Sequence, residues 1–347
     1  ARTAWPPVVD DVGWSEGTAQ RYLRDVVAYW QHGFDWRAQE RRLNAVPQFR
    51  IELDGLGIHY LHVRSTRPGA IPLLMCHGWP GGNLELLEIS RLLAEPAAGQ
   101  PAFHVIAPAM PGYGFSSIPT RPGVNLARIA DLWVQLMAQL GYARFGVQGG
   151  DWGAWVALQL CRRHADRLIG AHLNYVPARF VPVPTGDGPG ERAYLVERER
   201  WVDEESGYGQ LQGTKPQTLA FALSDSPVGL AAWILEKFHG WSGGRDAAFS
   251  RDALLTNVCV YWFTNTIYSS IRLYKEVAGE LARDRSGDRP ATPVAVARFP
   301  DEIAFPPRAH LANYLNLVRW TEMPAGGHFA ALEQPALLAG DIQAFFG

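Results

Sequence analysis

The chain has 347 residues, enough for one large domain with an inserted lid or for two ordinary domains. Hydrophobic residues make up 47% of it, with 13 Trp, 12 Tyr and 15 Phe, a composition typical of a packed globular protein and not of a disordered or fibrous one. The 32 basic residues nearly balance the 34 acidic ones and form no basic stripe, so nucleic acid is not an expected partner.

The cysteines and the N-terminus predict a cellular setting. Cys76, Cys161 and Cys259 each lie in an apolar run without C-x-x-C spacing, which favours buried free thiols in a reducing compartment and no zinc site. No apolar stretch approaches the roughly 18 residues of a membrane span, and the start has neither an initiator Met nor a signal-peptide core. We therefore expect a soluble, cytoplasmic chain that is trimmed at its N-terminus, with membrane association not expected.

The first elements are helical and then extended. Residues 1–48 predict a helical segment, with a helical pattern over 18–34 and a second amphipathic stretch after it. Strand-like alternation follows at 49–53 and 58–63, on either side of an Asp54-Gly55 turn. These two runs predict an antiparallel hairpin.

Short apolar runs then alternate with helical patterns, which predicts a mostly parallel sheet covered by helices on both faces. The predicted strands are Ile71–Cys76, 103–107, 145–148, Leu168–Leu173, 294–299 and 317–320. The predicted helices between and after them are 84–94, 125–140, 154–164 and Pro335–Phe346.

The alternation stops for about a third of the chain, between residues 177 and 288. This span begins with a Pro/Gly-rich loop at 182–190 and a charged segment at Glu191–Glu205, and it continues with helical patterns at 217–223, 228–238 and 253–278. We interpret it as a helical cap inserted into the core. The predicted division is an N-terminal helical segment (1–48), a first part of the core (49–176), the cap (177–288) and a second part of the core (289–347).

The sharpest motif is Gly149-Gly150-Asp151-Trp152-Gly153, which follows an apolar run and precedes a helical pattern. At a tight strand-to-helix turn a side chain projects above the sheet, and small residues two positions away on either side let the strand and helix approach. The motif therefore predicts a nucleophile elbow with Asp151 in place of Ser, ionised at a helix N-terminus. An ordinary turn with Asp151 as a helix cap is the alternative.

A second motif, His77-Gly78-Trp79-Pro80-Gly81-Gly82, follows the strand Ile71–Cys76, where an oxyanion-hole donor is expected. The backbone N–H groups of Trp79 and Trp152 are the two candidate donors to the Asp151 carboxylate and to the oxyanion formed from it. The alternative is a plain turn in which His77 is a hydrogen-bonded core histidine.

The histidine and acid of a triad are expected near the C-terminus. Of the 10 histidines, His328 in Gly326-Gly327-His328-Phe329 lies after the last predicted strand, and its flanking glycines allow close approach to a crowded site. The preceding strand ends at Phe299-Pro300-Asp301-Glu302, which offers two adjacent carboxylates to orient His328.

These motifs, with Phe299-Pro300-x-Glu302 and the run from Gly326 to Glu333, together resemble the microsomal-type epoxide hydrolase family over nearly the whole chain, the helical N-terminal segment included. The resemblance implies the α/β-hydrolase fold and no metal or organic cofactor. The family's F-P-x-E pattern puts the triad acid on Glu302, with Asp301 as the fallback. The family's N-terminal pattern is entered partway, at Trp5-Pro6.

The cap also resembles that family, which binds the epoxide oxygen with two tyrosines. Tyr208, after Ser206-Gly207, and Tyr274, in Arg272-Leu273-Tyr274-Lys275, match the two positions. A phenol with a pKa of about 10 can donate to the oxygen as charge develops there, without being ionised itself. The alternative for each tyrosine is a buried aromatic residue with a satisfied hydroxyl.

The resemblance implies a two-step hydrolysis in which Asp151 forms an ester and His328, held by Glu302, activates the water that cleaves it. The expected partner is a small-molecule epoxide, and the many Trp and Phe residues favour a bulky or aromatic one. Homodimer formation is left open. Haloalkane dehalogenation uses the same Asp and His, but its leaving halide does not need paired phenols. A catalytically silent binding protein would have lost a triad member, and none is lost.

Overall fold

The computed structural model describes residues 3–9, 12–177, 180–281 and 289–347. An eight-stranded sheet forms its centre. The strands are β1 (Gln48–Leu53), β2 (Leu56–Val63), β3 (Ile71–Cys76), β4 (Phe103–Pro108), β5 (Phe145–Gly149), β6 (Leu168–Leu173), β7 (Pro293–Arg298) and β8 (Asn316–Glu322).

The strands lie in the order β1-β2-β4-β3-β5-β6-β7-β8. The β1–β2 and β2–β4 pairs are antiparallel, and every pair from β4 through β3 to β8 is parallel. The predicted opening hairpin and parallel sheet are therefore confirmed. The carboxyl ends of the parallel strands share one edge, where an open α/β sheet places its site.

Helices surround this sheet and extend beyond it. They are α1 (Gln20–His32), α2 (Trp36–Asn44), α3 (Leu87–Ala94), α4 (Leu126–Gln139), α5 (Asp151–Arg163), α6 (Glu191–Glu205), α7 (Gly207–Thr214), α8 (Pro216–Asp225), α9 (Pro227–Gly240), α10 (Arg251–Thr264), α11 (Ile267–Leu281), α12 (Arg308–Leu311), α13 (Ala330–Glu333) and α14 (Pro335–Phe346).

Strand β3 shows why both faces of the sheet need helices. Leu74 and Cys76 belong to the hydrophobic cluster that also contains α4 and α5, whereas Leu73 and Met75 belong to the cluster that contains α3 and α14. Successive side chains point to opposite faces of a strand, so a strand that is apolar at every position must be covered on both sides. The predicted α/β fold with two helical layers is confirmed.

The chain between β6 and β7 carries α6 to α11, and here the sequence predictions need two corrections. The charged segment at 191–205 is a continuous helix, and the single helical pattern over 253–278 is two helices. The break falls at Asn265, whose φ of 52° is left-handed and ends α10. The predicted cap boundary at 288 lies outside the described residues, and the four-part division stays a prediction.

The N-terminal helices pack against the cap. The Tyr29 hydroxyl donates to Asp252 Oδ1 at 2.8 Å, and the Gln39 amide donates to Asp252 Oδ2 at 3.1 Å. The Thr18 hydroxyl donates to the Ala232 carbonyl of α9 at 2.7 Å. The N-terminal segment is thus joined to cap helices that lie more than 200 residues away in sequence.

Among the described residues, no single helix is both long and apolar enough to cross a bilayer. The two helices α8 and α9 reach that length and composition only when taken together, and they meet at a bend of 118°.

A buried carboxylate, Asp341 of α14, ties that helix to the sheet. It accepts hydrogen bonds from Arg319 (2.6 and 2.9 Å), from Thr321 (2.7 Å) and from His172 (3.0 Å). Burial by itself would raise the pKa of Asp341, but the hydrogen bonds from His172, Arg319 and Thr321, together with the charge of His172, outweigh it and lower the pKa to about 2.

We expect Asp341→Asn to lower the free energy of unfolding by about 2 kcal/mol at pH 7. Because the folded-state pKa is depressed, this stabilisation is fully present above about pH 4 and is lost as the pH falls towards 2. Chemical unfolding monitored by tryptophan fluorescence measures both effects, with Asp203→Asn as an exposed control. A difference that stayed constant from pH 7 to acid would contradict the assignment.

Candidate active site

Asp151 stands at the turn between β5 and α5, where the sequence predicts it. Its φ of 47° is left-handed, a conformation that costs energy for a non-glycine residue and that projects the side chain from the turn. A Cβ on Gly153 would lie 2.0 Å from the Cys76 carbonyl oxygen, so only glycine lets the helix approach β3 this closely. The local structure is that of a nucleophile elbow.

The two oxygens of Asp151 have different partners. The Trp79 backbone N–H donates to Oδ1 at 2.8 Å, and Oδ2 lies 3.5 Å from Nε2 of His328. The loop after β3 packs directly on the carboxylate, since a Cβ on Gly78 would lie 2.4 Å from the Cβ of Asp151. One oxygen is therefore held in place while the other faces the histidine.

His77 supports this loop from within the core. Its Nε2 accepts the Met110 N–H at 3.0 Å, which leaves Nδ1 to donate to the Gly78 carbonyl at 3.0 Å. Burial lowers the pKa of His77 to about 4 despite opposing influences from Gly78 and Asp151. His77 is the neutral, hydrogen-bonded core histidine that the alternative interpretation describes, and it shapes the loop that holds Trp79.

His328 lies between two carboxylates and is fixed on its backbone as well. Its Nδ1 lies 2.6 Å from Oε1 of Glu302, an oxygen that also accepts the Ile303 N–H at 2.9 Å. The His328 backbone N–H donates at 3.0 Å to the carbonyl of Trp241, which follows α9 in the cap. The ring is thus oriented by the core and the backbone by the cap.

The electrostatics of His328 favour its charged form. Burial would lower the pKa of His328, but the charges of Glu302 and Asp151 and hydrogen bonds to both raise it to about 10. At this pKa the imidazole is protonated near pH 7. Loss of the Asp151 charge would remove part of this support and bring the pKa down.

The two adjacent carboxylates of the 299–302 segment have separate roles. Glu302 contacts His328, and the Asp301 carboxylate instead forms an ion pair with Arg245 of the cap. Arg245 also lies 3.4 Å from Glu333. The geometry favours Glu302 over Asp301 as the partner of the histidine.

Tyr208 of α7 and Tyr274 of α11 meet above the elbow. Their ring centroids are 5.8 Å apart, and both rings contact the indole of Trp79, at 5.6 and 5.8 Å. The indole of Trp152 lies 4.7 Å from the Tyr274 ring. The structure brings all seven predicted site residues together, although the donor role of the Trp152 N–H stays a prediction.

Both phenols are electrostatically biased against ionisation. Burial raises the pKa of Tyr208, and the negative charge of Asp151 raises it further. The pKa of Tyr274 is raised by burial first, and then by Tyr208 and Asp151. Each hydroxyl therefore keeps its proton at neutral pH and can donate it in a hydrogen bond.

Glu85 is a residue of the site that no sequence motif singles out. Together with Asp151 and His328, its side chain lines a cavity of about 30 Å³, which has room for about one water molecule. Burial raises the pKa of Glu85 to about 8; the proximity of Asp151 adds to this, and that of His328 opposes it. The available signal was a carboxylate within the otherwise apolar run from Leu84 to Leu87.

Trp241 could not be predicted either, because a backbone carbonyl that fixes His328 leaves no trace in sequence.

Within the described part of the chain, no group of three or more His, Cys, Asp or Glu side chains is arranged to hold a metal ion.

The chain is similar to known proteins over nearly its whole length. Residues 1–86 match the family model described as Epoxide hydrolase N terminus, and residues 71–176 match that of the alpha/beta hydrolase fold. Epoxide hydrolase 1 of Sus scrofa is 38% identical over 376 residues, which cover 98% of this chain and 83% of that protein.

Solved structures give the same result. The juvenile hormone epoxide hydrolase of the silkworm Bombyx mori matches with a TM-score of 0.91 and 32% identity, covering 98% of this chain and 88% of that one. The epoxide hydrolase of Aspergillus niger matches with a TM-score of 0.88 and 32% identity, covering 99% and 89%.

Proposed function

The chain belongs to the epoxide hydrolase family and hydrolyses epoxides; from that premise we propose that Asp151, His328, Glu302, Tyr208 and Tyr274 carry the reaction. The observation that supports this proposal most directly is that the two carboxylate oxygens of Asp151 have different environments. Oδ1 accepts the Trp79 N–H at 2.8 Å, and Oδ2 faces His328 at 3.5 Å. One oxygen is held and the other is free to attack.

In the first step, Oδ2 of Asp151 attacks an epoxide carbon. The carbon–oxygen bond of the ring breaks, and its electron pair passes to the epoxide oxygen. Tyr208 and Tyr274 donate hydrogen bonds to that oxygen as its charge grows, which their raised pKa values allow near pH 7. The product is a hydroxyalkyl ester of Asp151.

In the second step, water cleaves the ester. His328 Nε2 takes a proton from the water, and the resulting hydroxide attacks Cγ of Asp151. The small cavity beside Asp151, His328 and Glu85 supports this placement of the water. The oxyanion that forms accepts the Trp79 N–H, with the Trp152 N–H as the second donor. Its collapse breaks the ester bond, and the departing oxygen takes the proton held by His328, which releases the vicinal diol. The carboxylic acid left on Asp151 then returns a proton to His328.

The charge of Asp151 can time the two steps. In the free enzyme it helps raise the pKa of His328 to about 10, so the ring is protonated. Ester formation neutralises Asp151, which lowers the pKa of His328 and lets the ring release its proton. That release balances the proton that the opened alkoxide takes up, and it leaves a neutral imidazole for the second step.

The substrate and setting are also part of the proposal. The rings of Trp79, Trp152, Tyr208 and Tyr274 that enclose the nucleophile support a bulky or aromatic epoxide. The three cysteines, all buried and unpaired, support a reducing compartment such as the cytoplasm. Homodimer formation stays a prediction.

Diol release from a panel of aryl and alkyl epoxides tests the substrate, with chloroalkanes assayed in parallel. We expect diol from the epoxides, faster with the aryl compounds, and no halide from the chloroalkanes. Halide release at a comparable rate would instead favour dehalogenation.

We expect Tyr208→Phe and Tyr274→Phe each to slow ester formation, on the order of 10²-fold or more, because one donor to the epoxide oxygen is lost. The second step depends on His328 and should change much less. Single-turnover kinetics with intact-mass detection separate the two rates. If both tyrosines could be replaced without slowing ester formation, they would be packing residues only.

A further inference from the structure

Lys237 of α9 is a buried cation beside the proposed active site that the mechanism above does not use. The residue is 5% exposed, although lysine is rarely buried unless it is paired. Its Nζ lies 2.7 Å from Oε2 of Glu236 and 3.2 Å from Oε2 of Glu205. These two carboxylates account for the tolerance of a buried ammonium, but they do not explain where it is placed.

The ammonium also lies against aromatic rings. Nζ is 4.6 Å from the ring centroid of Tyr208 and 5.6 Å from that of Trp241. Both distances are within the roughly 6 Å over which a cation is attracted to an aromatic ring. Lys237 therefore contacts the phenol assigned to the epoxide oxygen.

The same contacts fix the backbone around that phenol. Glu205 is the last residue of α6, and Tyr208 lies three positions further along the chain, in the first turn of α7. The ion pair of Lys237 with Glu205 joins this junction to α9. The ring and the backbone of Tyr208 are thus positioned by one side chain.

The charge of Lys237 matters most during ring opening. As the Tyr208 hydroxyl shares its proton with the epoxide oxygen, negative charge builds on the phenol, and a nearby cation stabilises that charge more than it stabilises the neutral ring. Without Lys237, Glu205 and Glu236 would face this ring uncompensated. Both are among the influences, after burial and Asp151, that raise the pKa of Tyr208.

We propose that Lys237 is a positioning residue for epoxide ring opening, which holds the Tyr208 ring and stabilises the charge that this phenol acquires as it donates to the epoxide oxygen. This inference rests on the proposed role of Tyr208.

A double-mutant cycle tests it. In the wild-type background, Lys237→Met should slow ester formation on the order of tenfold and leave ester hydrolysis within about twofold. In the Tyr208→Phe background, the same substitution should have almost no further effect, because the hydroxyl through which Lys237 acts is gone. Equal slowing in both backgrounds would show a purely structural role and overturn the proposal, as would an unchanged rate in the wild-type background.

Three further variants keep the test decisive. Lys237→Arg retains a cation at the ring and should restore most of the rate of ester formation. Lys237→Met combined with Glu205→Gln removes both charges of one ion pair, so it is the variant to use if the single one does not fold. Lys275→Met is the matched control, since Lys275 is exposed, adjoins Tyr274 and bonds the Thr214 carbonyl at 3.3 Å.

The same cycle separates failure of this inference from failure of the proposed function. An undiminished rate of ester formation in Tyr208→Phe alone would remove Tyr208 from the mechanism whatever Lys237 does. Slow ester formation in Tyr208→Phe together with a normal rate in Lys237→Met would reject only the role of Lys237.

Discussion

Replacing Asp151 by Ala should abolish turnover, with kcat/KM reduced at least on the order of 10⁴-fold, because the variant has no carboxylate to form the ester. The Trp79 N–H and the tyrosines would remain, so substrate binding should be affected less than the chemistry. Initial rates of diol formation measure the loss. Circular dichroism checks that the fold is retained, which we expect because Ala removes the carboxylate without adding bulk.

Heavy-oxygen water then identifies the atom that attacks. Under single-turnover conditions the water oxygen enters at Cγ of Asp151, so the label should stay in the protein and the first diol released should carry none. Peptide mass spectrometry locates the label at residue 151. Label in the first diol would mean direct attack of water on the epoxide and would refute the ester mechanism.

His328→Gln should trap the ester. Ester formation needs the Asp151 carboxylate and the phenols, whereas cleavage needs a base at the position of His328 Nε2. Turnover should therefore stop after one event, and intact-mass measurement should find the protein with one added substrate mass. The proposed assignment of His328 would be wrong if this variant released diol at the normal rate.

A matched pair of variants tests the acid behind His328. Glu302→Gln removes the charge that lies 2.6 Å from Nδ1, and we expect the ester to accumulate as it does in His328→Gln. Asp301→Asn changes the neighbouring carboxylate, which pairs with Arg245, and should leave ester cleavage largely intact. The opposite result would move the triad acid to Asp301.

The sequence was most informative where burial imposes a simple period. Strands Ile71–Cys76 and Leu168–Leu173 and the helix Pro335–Phe346 have the predicted bounds, because apolar runs of these lengths leave little choice once both faces of the sheet are covered. The sequence pattern did not predict the cap helix Glu191–Glu205, in which Tyr194 is the only buried residue. A polar helix without an apolar face has no pattern to detect.

The site divides in a similar way. Asp151 and His328 could be predicted from the sequence because tight turns require glycine neighbours, and those glycines are visible in the sequence. The residues alone leave Asp301 and Glu302 open as the acid, and the family resemblance favours Glu302. The tertiary structure adds where each carboxylate points, Glu302 to His328 and Asp301 to Arg245. The role of Lys237 could not be predicted either, since the cation lies on a helix with buried residues on several sides, among them Leu230, Ile234 and Phe238. Its partner Tyr208 lies on a different helix, 29 residues earlier in the chain.

Because β6 and β7 are far apart in the chain, the two halves of the catalytic site are synthesised at different times. The two strands are neighbours in the sheet, yet the entire cap lies between them in the chain. Closing so long a loop costs conformational entropy and makes folding slow compared with that of a chain with local contacts. During synthesis, Asp151 emerges with the first part of the sheet, and Glu302 and His328 follow only with the last strands. A ribosome-bound chain thus carries its nucleophile well before its base, and catalytic competence arrives with the final stretch of translation.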